Sequence, residues 1–213
     1  TLKEERLDQV CRLAEDVKAQ VLVLQETRHR HNTNWIKWGA AKWGFRTHLS
    51  EPVEQDHRGI NNYGGTAILW KSELGKSSPV PSSTHRVCGR RWENMEIRSV
   101  YGPPHKADPS LCADILRRSE ETPLALVAVG DWNWKPSYTN ALASNWKDIP
   151  SESTVQKHDT RPTRCITTAE QDGPTSTFSV IGFPHHKAVL YSLKIPVTPP
   201  SQKARLRKCT AYE

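Results

Sequence analysis

The sequence predicts an α/β layered sandwich, and three observations carry that reading. First, Leu124-Ala125-Leu126-Val127-Ala128-Val129 is an unbroken apolar run closed by Pro123 and Gly130, the pattern of a strand buried on both faces. A second run of this kind, Val21-Leu22-Val23-Leu24, lies near the start. Second, strand-like stretches separated by turn residues alternate with a few amphipathic helical ones, as expected of sheets covered by helices. Third, the 213 residues contain no internal repeat and no second domain, and that length suffices for one core.

Each element has a local cause. Leu7, Val10, Cys11, Ala14 and Val17 share one helical face, with Glu4, Glu5, Arg6, Arg12, Glu15 and Lys18 elsewhere, so an amphipathic helix opens the chain. The strand at 21–25 follows a short turn. A second helix is expected over 33–43, carrying Trp35, Ile36, Trp38 and Trp43, then a short strand from Phe45 to Leu49. The mixed-charge stretch 50–62 reads as loop. Gly64 and Gly65 lead into a strand through Trp70, and the Ser/Pro-rich stretch 72–83 reads as loop again. Strands at 84–92 and 94–101 meet at a tight turn near Glu93-Asn94, and Pro103-Pro104 stops the second. Asp108-Pro109 starts an amphipathic helix over 107–120. After the strand at 124–129 a helix is expected at 137–146. The polar stretch 148–175 resists assignment, and strands at 175–181 and 187–194 close the fold. Residues 1–195 form the domain; the Pro-rich, basic stretch 196–213 is expected to be a disordered tail.

The net charge of +7 favours polyanions such as nucleic acid, although Lys203, Arg205, Arg207 and Lys208 in the tail supply four of those charges. No apolar run exceeds six residues, so no transmembrane helix is expected, and no charged-then-apolar leader opens the chain, so neither is a secretory signal. Five cysteines without a Cys-x-x-Cys pair point to reduced, structural thiols rather than a zinc site or disulfide framework. An intracellular setting, with the nucleus as one option, is the expectation.

Both double-sided strands end in acid: Gln25-Glu26-Thr27 and Gly130-Asp131-Trp132-Asn133. A carboxylate at the end of a packed strand can hold a hard cation or move a proton, and an amide two residues on can orient a substrate oxygen. Two such ends suggest a shared polar site.

The order of the pieces adds a family. Leu24-Gln25-Glu26-Thr27, Gly64-Gly65-Thr66-Ala67-Ile68, Tyr101-Gly102-Pro103-Pro104, Gly130-Asp131-Trp132-Asn133 and His185-His186-Lys187-Ala188-Val189 follow one another, each at a strand end. The series resembles the endonuclease/exonuclease/phosphatase superfamily, which includes abasic-site endonucleases, pancreatic deoxyribonuclease and retrotransposon-encoded endonucleases. The resemblance runs from the first helix to residue 194. It implies a four-layered α/β sandwich, two packed mixed sheets flanked by helices, with the active site at one edge. It further implies that Glu26 binds the metal, Mg²⁺ with Mn²⁺ as the alternative, an ion satisfied by one or two protein carboxylates. Asp131 would align and deprotonate the attacking water, and Asn133 would hold a phosphate oxygen or that water. Tyr101 would contact the scissile phosphate as a neutral phenol. His186 would stabilise the charge that builds on the transferring group. Gly64 and Gly65 permit close backbone approach rather than bind phosphate.

The chain departs from the family pattern in three places. The aspartate that precedes the final histidine is replaced in Pro184-His185-His186, and loss of an orienting carboxylate costs orders of magnitude in related dyads. No Arg/Ile-Asp pair follows Pro162-Thr163-Arg164. The asparagine of the family's first strand has no counterpart before the opening helix, so that strand is expected to be missing. The leading expectation is a Mg²⁺-dependent phosphodiesterase that cuts nucleic acid, DNA in preference to RNA, of the retrotransposon or abasic-site type, with Arg28, Arg30, Arg90 and Arg91 holding the backbone. The alternatives are an impaired member that binds nucleic acid without cleavage, and a phosphatase or phospholipase branch of the superfamily.

Overall fold

A computed structural model of the chain describes residues 2–30, 32–52, 64–82, 84–102, 124–133, 146–149, 163–179 and 187–195. Within them α1 (Glu4–Asp16), β1 (Val21–Leu24), α2 (Asn34–Ala41), β2 (Phe45–Leu49) and β3 (Ala67–Lys71) build the first half. The strands form a three-stranded antiparallel sheet in the order β1-β3-β2. The apolar face of α1 (Leu7, Val10, Cys11 and Ala14) and Ile36 and Ala40 of α2 close over Phe45, Ala67 and Leu69 of that sheet. Trp43 anchors the helices to each other, its indole Nε1 donating to Asp8 at 2.8 Å.

The second sheet has six strands in the order β4-β5-β6-β7-β9-β8: β4 (Ser78–Val80), β5 (Val87–Arg91), β6 (Met95–Tyr101), β7 (Ala125–Asp131), β8 (Lys147–Ile149) and β9 (Thr163–Thr167). All its pairings are antiparallel except β6 with β7, which run parallel. Side chains alternate along a strand with a period of two. Cys88, Met95, Ile97, Ala125, Val127 and Cys165 therefore face Ile68 and Trp70 of the first sheet. The opposite parity, Val87, Val100, Leu126, Ala128 and Ile166, packs with Trp132 and Trp146 on the outer face. Helix layer, sheet and sheet are thus stacked in that order, and the outer face of the second sheet is buried too. The architecture is the α/β sandwich expected of the sequence.

Two short two-stranded antiparallel sheets complete the described residues: β10 (Glu170–Gln171) with β13 (Leu193–Lys194), and β11 (Ser176–Ser179) with β12 (Lys187–Leu190). The strand expected at 187–194 is therefore two strands with different partners. The stretch 72–83 is not wholly loop: a 3₁₀ turn at Ser72–Leu74 leads into β4. Pro79 is tolerated there because β4 is the sheet's edge. The unassigned stretch 148–175 contains most of β8 and all of β9 and β10, and two buried polar residues of β9 find partners across the sheet. Arg164, buried in β9, pairs with Asp148 at 3.5 Å, and Thr167 Oγ1 donates to the Leu126 carbonyl at 2.7 Å. The helix expected at 107–120, that at 137–146 apart from Trp146, and the tail from 196 lie outside the described residues. Cys11, Cys88 and Cys165 are buried free thiols.

Candidate active site

Strand parity positions the site. On β6 the inward positions continue from Met95 and Ile97 through Ser99 to Tyr101, and on β7 from Ala125 and Val127 to Asp131. Tyr101 and Asp131 are direct partners in the parallel register, so their side chains leave the sheet on the same side at the same end. The first sheet delivers Glu26 to that end, immediately after β1. Gln25 Nε2 donates to Ser99 Oγ at 3.3 Å, and Ser99 Oγ donates to the Leu24 carbonyl at 3.0 Å, so the end of β1 is stitched to β6.

The Tyr101 hydroxyl closes the junction by donating to Glu26 Oε1 at 2.5 Å. Its ionisation is pushed far above the ordinary phenol value: first by burial, then by the hydrogen bond to Glu26 and the charges of Glu26 and Asp131. The Arg86 guanidinium, 5.5 Å from the ring centre, pulls the other way without reversing the shift. Tyr101 is thus a neutral donor, and its one proton is directed at Glu26 rather than outward. The second oxygen of Glu26 lies 3.3 Å from Arg28 Nη2.

Backbone strain shapes this rim. Glu26 and Arg28 have φ of 51° and 49°, and Asn133 of 50°, all in the left-handed region that costs a non-glycine residue about 1–3 kcal/mol. The Thr27 and Arg28 amides donate to the Gly65 and Gly64 carbonyls at 3.0 and 3.1 Å, which holds the turn. A Cβ on Gly65 would lie 2.5 Å from Thr27 Oγ1, so the two glycines do serve close approach. At the end of β7 the Gly102 amide donates to the Asp131 carbonyl at 2.7 Å, and Asn133 Nδ2 donates to the Gly102 carbonyl at 2.9 Å. Trp132 between them is buried in the outer core.

Of the residues picked out in the sequence, Glu26, Tyr101 and Asp131 therefore meet at one rim, with Asn133 tied to the adjoining strand end. His186 lies outside the described residues. Arg90 and Arg91 do not join this rim, contrary to expectation, because β5 starts beside Tyr101 and runs away from it. Arg90 stacks 4.6 Å over Trp70 and donates to the Ser77 carbonyl at 2.6 Å, while Arg91 and Arg98 clamp the buried Glu96 at 2.6 and 2.5 Å. Among the described residues, Arg28 and Arg86 stand at the rim. Arg86 carries no sequence signal beyond standing just before β5.

His29 also escapes sequence reasoning, since an isolated histidine in a polar loop has no periodicity. It is 4% exposed, with Nδ1 2.7 Å from Thr27 Oγ1 and Nε2 3.1 Å from the Ser50 carbonyl. Burial lowers its pKa, as it does for His48, where the charge of Arg90 adds to the effect. In the unfolded chain both rings protonate as pH falls through about 6.5, while the folded rings resist. The unfolded state then binds more protons, so stability is full above that pH and is lost as pH falls through the lower folded values. The urea midpoint is expected to drop between pH of about 7.5 and 5.5, and His29→Gln to flatten that slope. A midpoint flat over that interval would contradict the burial of neutral rings.

The donor set fits a hard divalent cation: two carboxylates at one rim, Glu26 with its side chain 39% exposed, meet the requirement of Mg²⁺ for one or two protein oxygens with the rest from water.

Comparison with known proteins agrees with this fold. The sequence profile of the Endonuclease/Exonuclease/phosphatase family matches residues 2–168. A search of curated proteins gives no match. Among solved structures, a humanized TDP2 from D. rerio superposes with a TM-score of 0.65 at 10% identity, covering 89% of this chain and 91% of that one. The endonuclease domain of TRAS1, a telomere-specific non-LTR retrotransposon, gives 0.61 at 16% identity, covering 89% and 93%. An AP endonuclease from Archaeoglobus fulgidus gives 0.58 at 14% identity, covering 90% and 95%. At such identities the structures establish a shared fold, and the profile spans most of the chain. The chain belongs to the endonuclease/exonuclease/phosphatase family.

Proposed function

We propose that this chain is a Mg²⁺-dependent phosphodiesterase that hydrolyses the nucleic-acid backbone, an endonuclease of the retrotransposon or abasic-site type acting on DNA. The observation that supports it most is the junction of Glu26, Tyr101 and Asp131, where carboxylates 105 positions apart in the chain reach one rim through a single phenol. The printed descriptions of two fold neighbours, a retrotransposon endonuclease domain and an AP endonuclease, point the same way.

In this reading Glu26 and the rim beside it hold the ion, whose chemistry is to neutralise charge developing on the phosphoryl oxygens. Tyr101 orients Glu26 by its hydrogen bond and, as a neutral group, adds no negative charge facing a phosphate. Asp131 accepts a proton from water as the water oxygen bonds to phosphorus and the bond from phosphorus to the leaving sugar oxygen breaks. The amide of Asn133 has a second N–H beyond the one on Gly102, available to a phosphate oxygen. Arg28 and Arg86 supply positive charge at the rim for the flanking backbone. His186 is the proposed donor to the transferring group.

A second reading has a specific observation behind it. Arg28 already sits on Glu26 Oε2, and Pro184-His185-His186 has no aspartate, so an impaired member that binds nucleic acid without cutting it is the alternative. Plasmid nicking with and without Mg²⁺ separates the two. The active reading expects metal-dependent nicking by the wild type and a loss greater than about 100-fold for Glu26→Gln, since even outer-sphere partners of a metal cost 10- to 100-fold. Salt-dependent binding with no nicking at any Mg²⁺ concentration would instead establish the binder.

A further inference from the structure

The turn that carries Glu26 has an unusual construction. Two non-glycine residues, Glu26 and Arg28, are left-handed on either side of Thr27. Nothing local makes that path easy, so contacts from outside the turn must hold it. Three are backbone bonds: the Thr27 and Arg28 amides to Gly65 and Gly64, and the Leu2 amide to the Thr27 carbonyl at 3.3 Å. A side-chain brace on Thr27 passes through His29. The Ser50 carbonyl can only accept, which places the ring proton on Nε2; Nδ1 is then an acceptor, and the Thr27 hydroxyl donates to it. Ser50, just past β2, is itself built into the frame. Its hydroxyl accepts from the Thr66 amide at 3.1 Å, and its amide donates to the Thr66 carbonyl at 2.9 Å. The brace therefore runs from Thr27 through an imidazole to the β2–β3 end of the first sheet. Gly65 completes the fit, because a Cβ there would lie 3.2 Å from His29 Nδ1 as well as against Thr27.

We propose that His29 is a positioning residue for Glu26: by accepting from Thr27 and donating to Ser50 it locks the Glu26–Thr27–Arg28 turn in the path that delivers the carboxylate to Tyr101 and to a divalent cation. The cation part rests on the function proposed above; the Tyr101 part does not. His29 is no proton carrier in this scheme, since the ring is buried and both its nitrogens are engaged by Thr27 and Ser50.

The two halves of the brace can be cut separately. Thr27→Val removes the hydroxyl at nearly constant shape. His29→Gln keeps a donor that can reach Ser50 but loses the acceptor for Thr27, whereas His29→Asn keeps an acceptor near Nδ1. Each variant is checked for folding by its melting curve, and Thr27→Val keeps the test decisive should a histidine variant fail to fold. The first readout needs no metal: the Tyr101 ζ-carbon NMR signal of the ¹³C-tyrosine-labelled chain, assigned with Tyr101→Phe. Thr27→Val and His29→Gln are expected to move it toward its position in Glu26→Gln, and His29→Asn to move it less. The second readout is Mn²⁺ affinity by electron paramagnetic resonance, expected to weaken about 10- to 100-fold in the same order. An unmoved Tyr101 signal in folded Thr27→Val and His29→Gln overturns the proposal. A wild type that binds no Mn²⁺, with the Tyr101 signal moving as expected, overturns the metal reading and leaves the brace standing.

Discussion

Asp131→Asn is expected to lower metal-dependent phosphodiester hydrolysis about 10²- to 10⁴-fold, the range a positioned general base contributes, and to leave the fold intact. The carboxylate lies at the inward end of β7, opposite Tyr101 in the register, and its neighbours hold it through the backbone. Its carbonyl accepts from Gly102, and its strand pairs with Thr163 of β9. Asparagine preserves the shape and these main-chain bonds, and removes only the charge and the ability to take a proton from water. The same substitution withdraws one of the negative charges that raise the Tyr101 pKa, so the phenol should ionise more easily. Single-turnover nicking with a parallel melting curve decides the matter. A folded Asn variant that cuts within about threefold of wild type would remove Asp131 from the mechanism.

Gly130→Ala is expected to cost stability on the order of 3 kcal/mol or more, the upper range for forced overpacking. A Cβ at position 130 would sit 1.8 Å from the Val100 carbonyl oxygen and 2.9 Å from its nitrogen, atoms of backbone that cannot rotate away. Gly102 is in the mirror situation, with the Trp132 carbonyl 1.9 Å from its would-be Cβ. Together they let the ends of β6 and β7 press together around Tyr101 and Asp131, so parting these strands should weaken fold and site at once. Gly75→Ala is the control. It has open space around it, with φ of 81° and ψ of −158°, a region held almost only by glycine, so backbone strain of about 1–3 kcal/mol applies without any clash. Urea midpoints measured on both variants test the contrast. Equal losses at positions 130 and 75 would mean that the strand ends are looser than this packing requires.

The parts of the fold that were legible are those whose signal is local. β1 and β7 are apolar on both faces because each is covered on both, and α1 shows the helical period because one face alone is buried. β4 was hidden by Pro79, which is acceptable only because the strand turned out to be an edge. β9 was hidden because its buried positions include Arg164 and Thr167, which become core residues only once Asp148 and the Leu126 carbonyl stand opposite. The candidate site divides the same way. Glu26, Tyr101 and Asp131 could be picked out as polar groups at strand ends, but Arg90 and Arg91 were misplaced, since charge is visible in a sequence and the direction of β5 is not.

The sequence by itself determined the class of fold and the acidic ends of two of its apolar strands, because periodicity acts over a few residues, and its order of motifs carried the resemblance to the family. Only the tertiary structure decided that Tyr101 gives its proton to Glu26, 75 residues away, that His29 braces the turn between them, and that two of the expected arginines serve the far end of β5. Those contacts exist because strands distant in the chain pair within each sheet and the two sheets pack face to face, and no local pattern encodes which side chains that brings within reach.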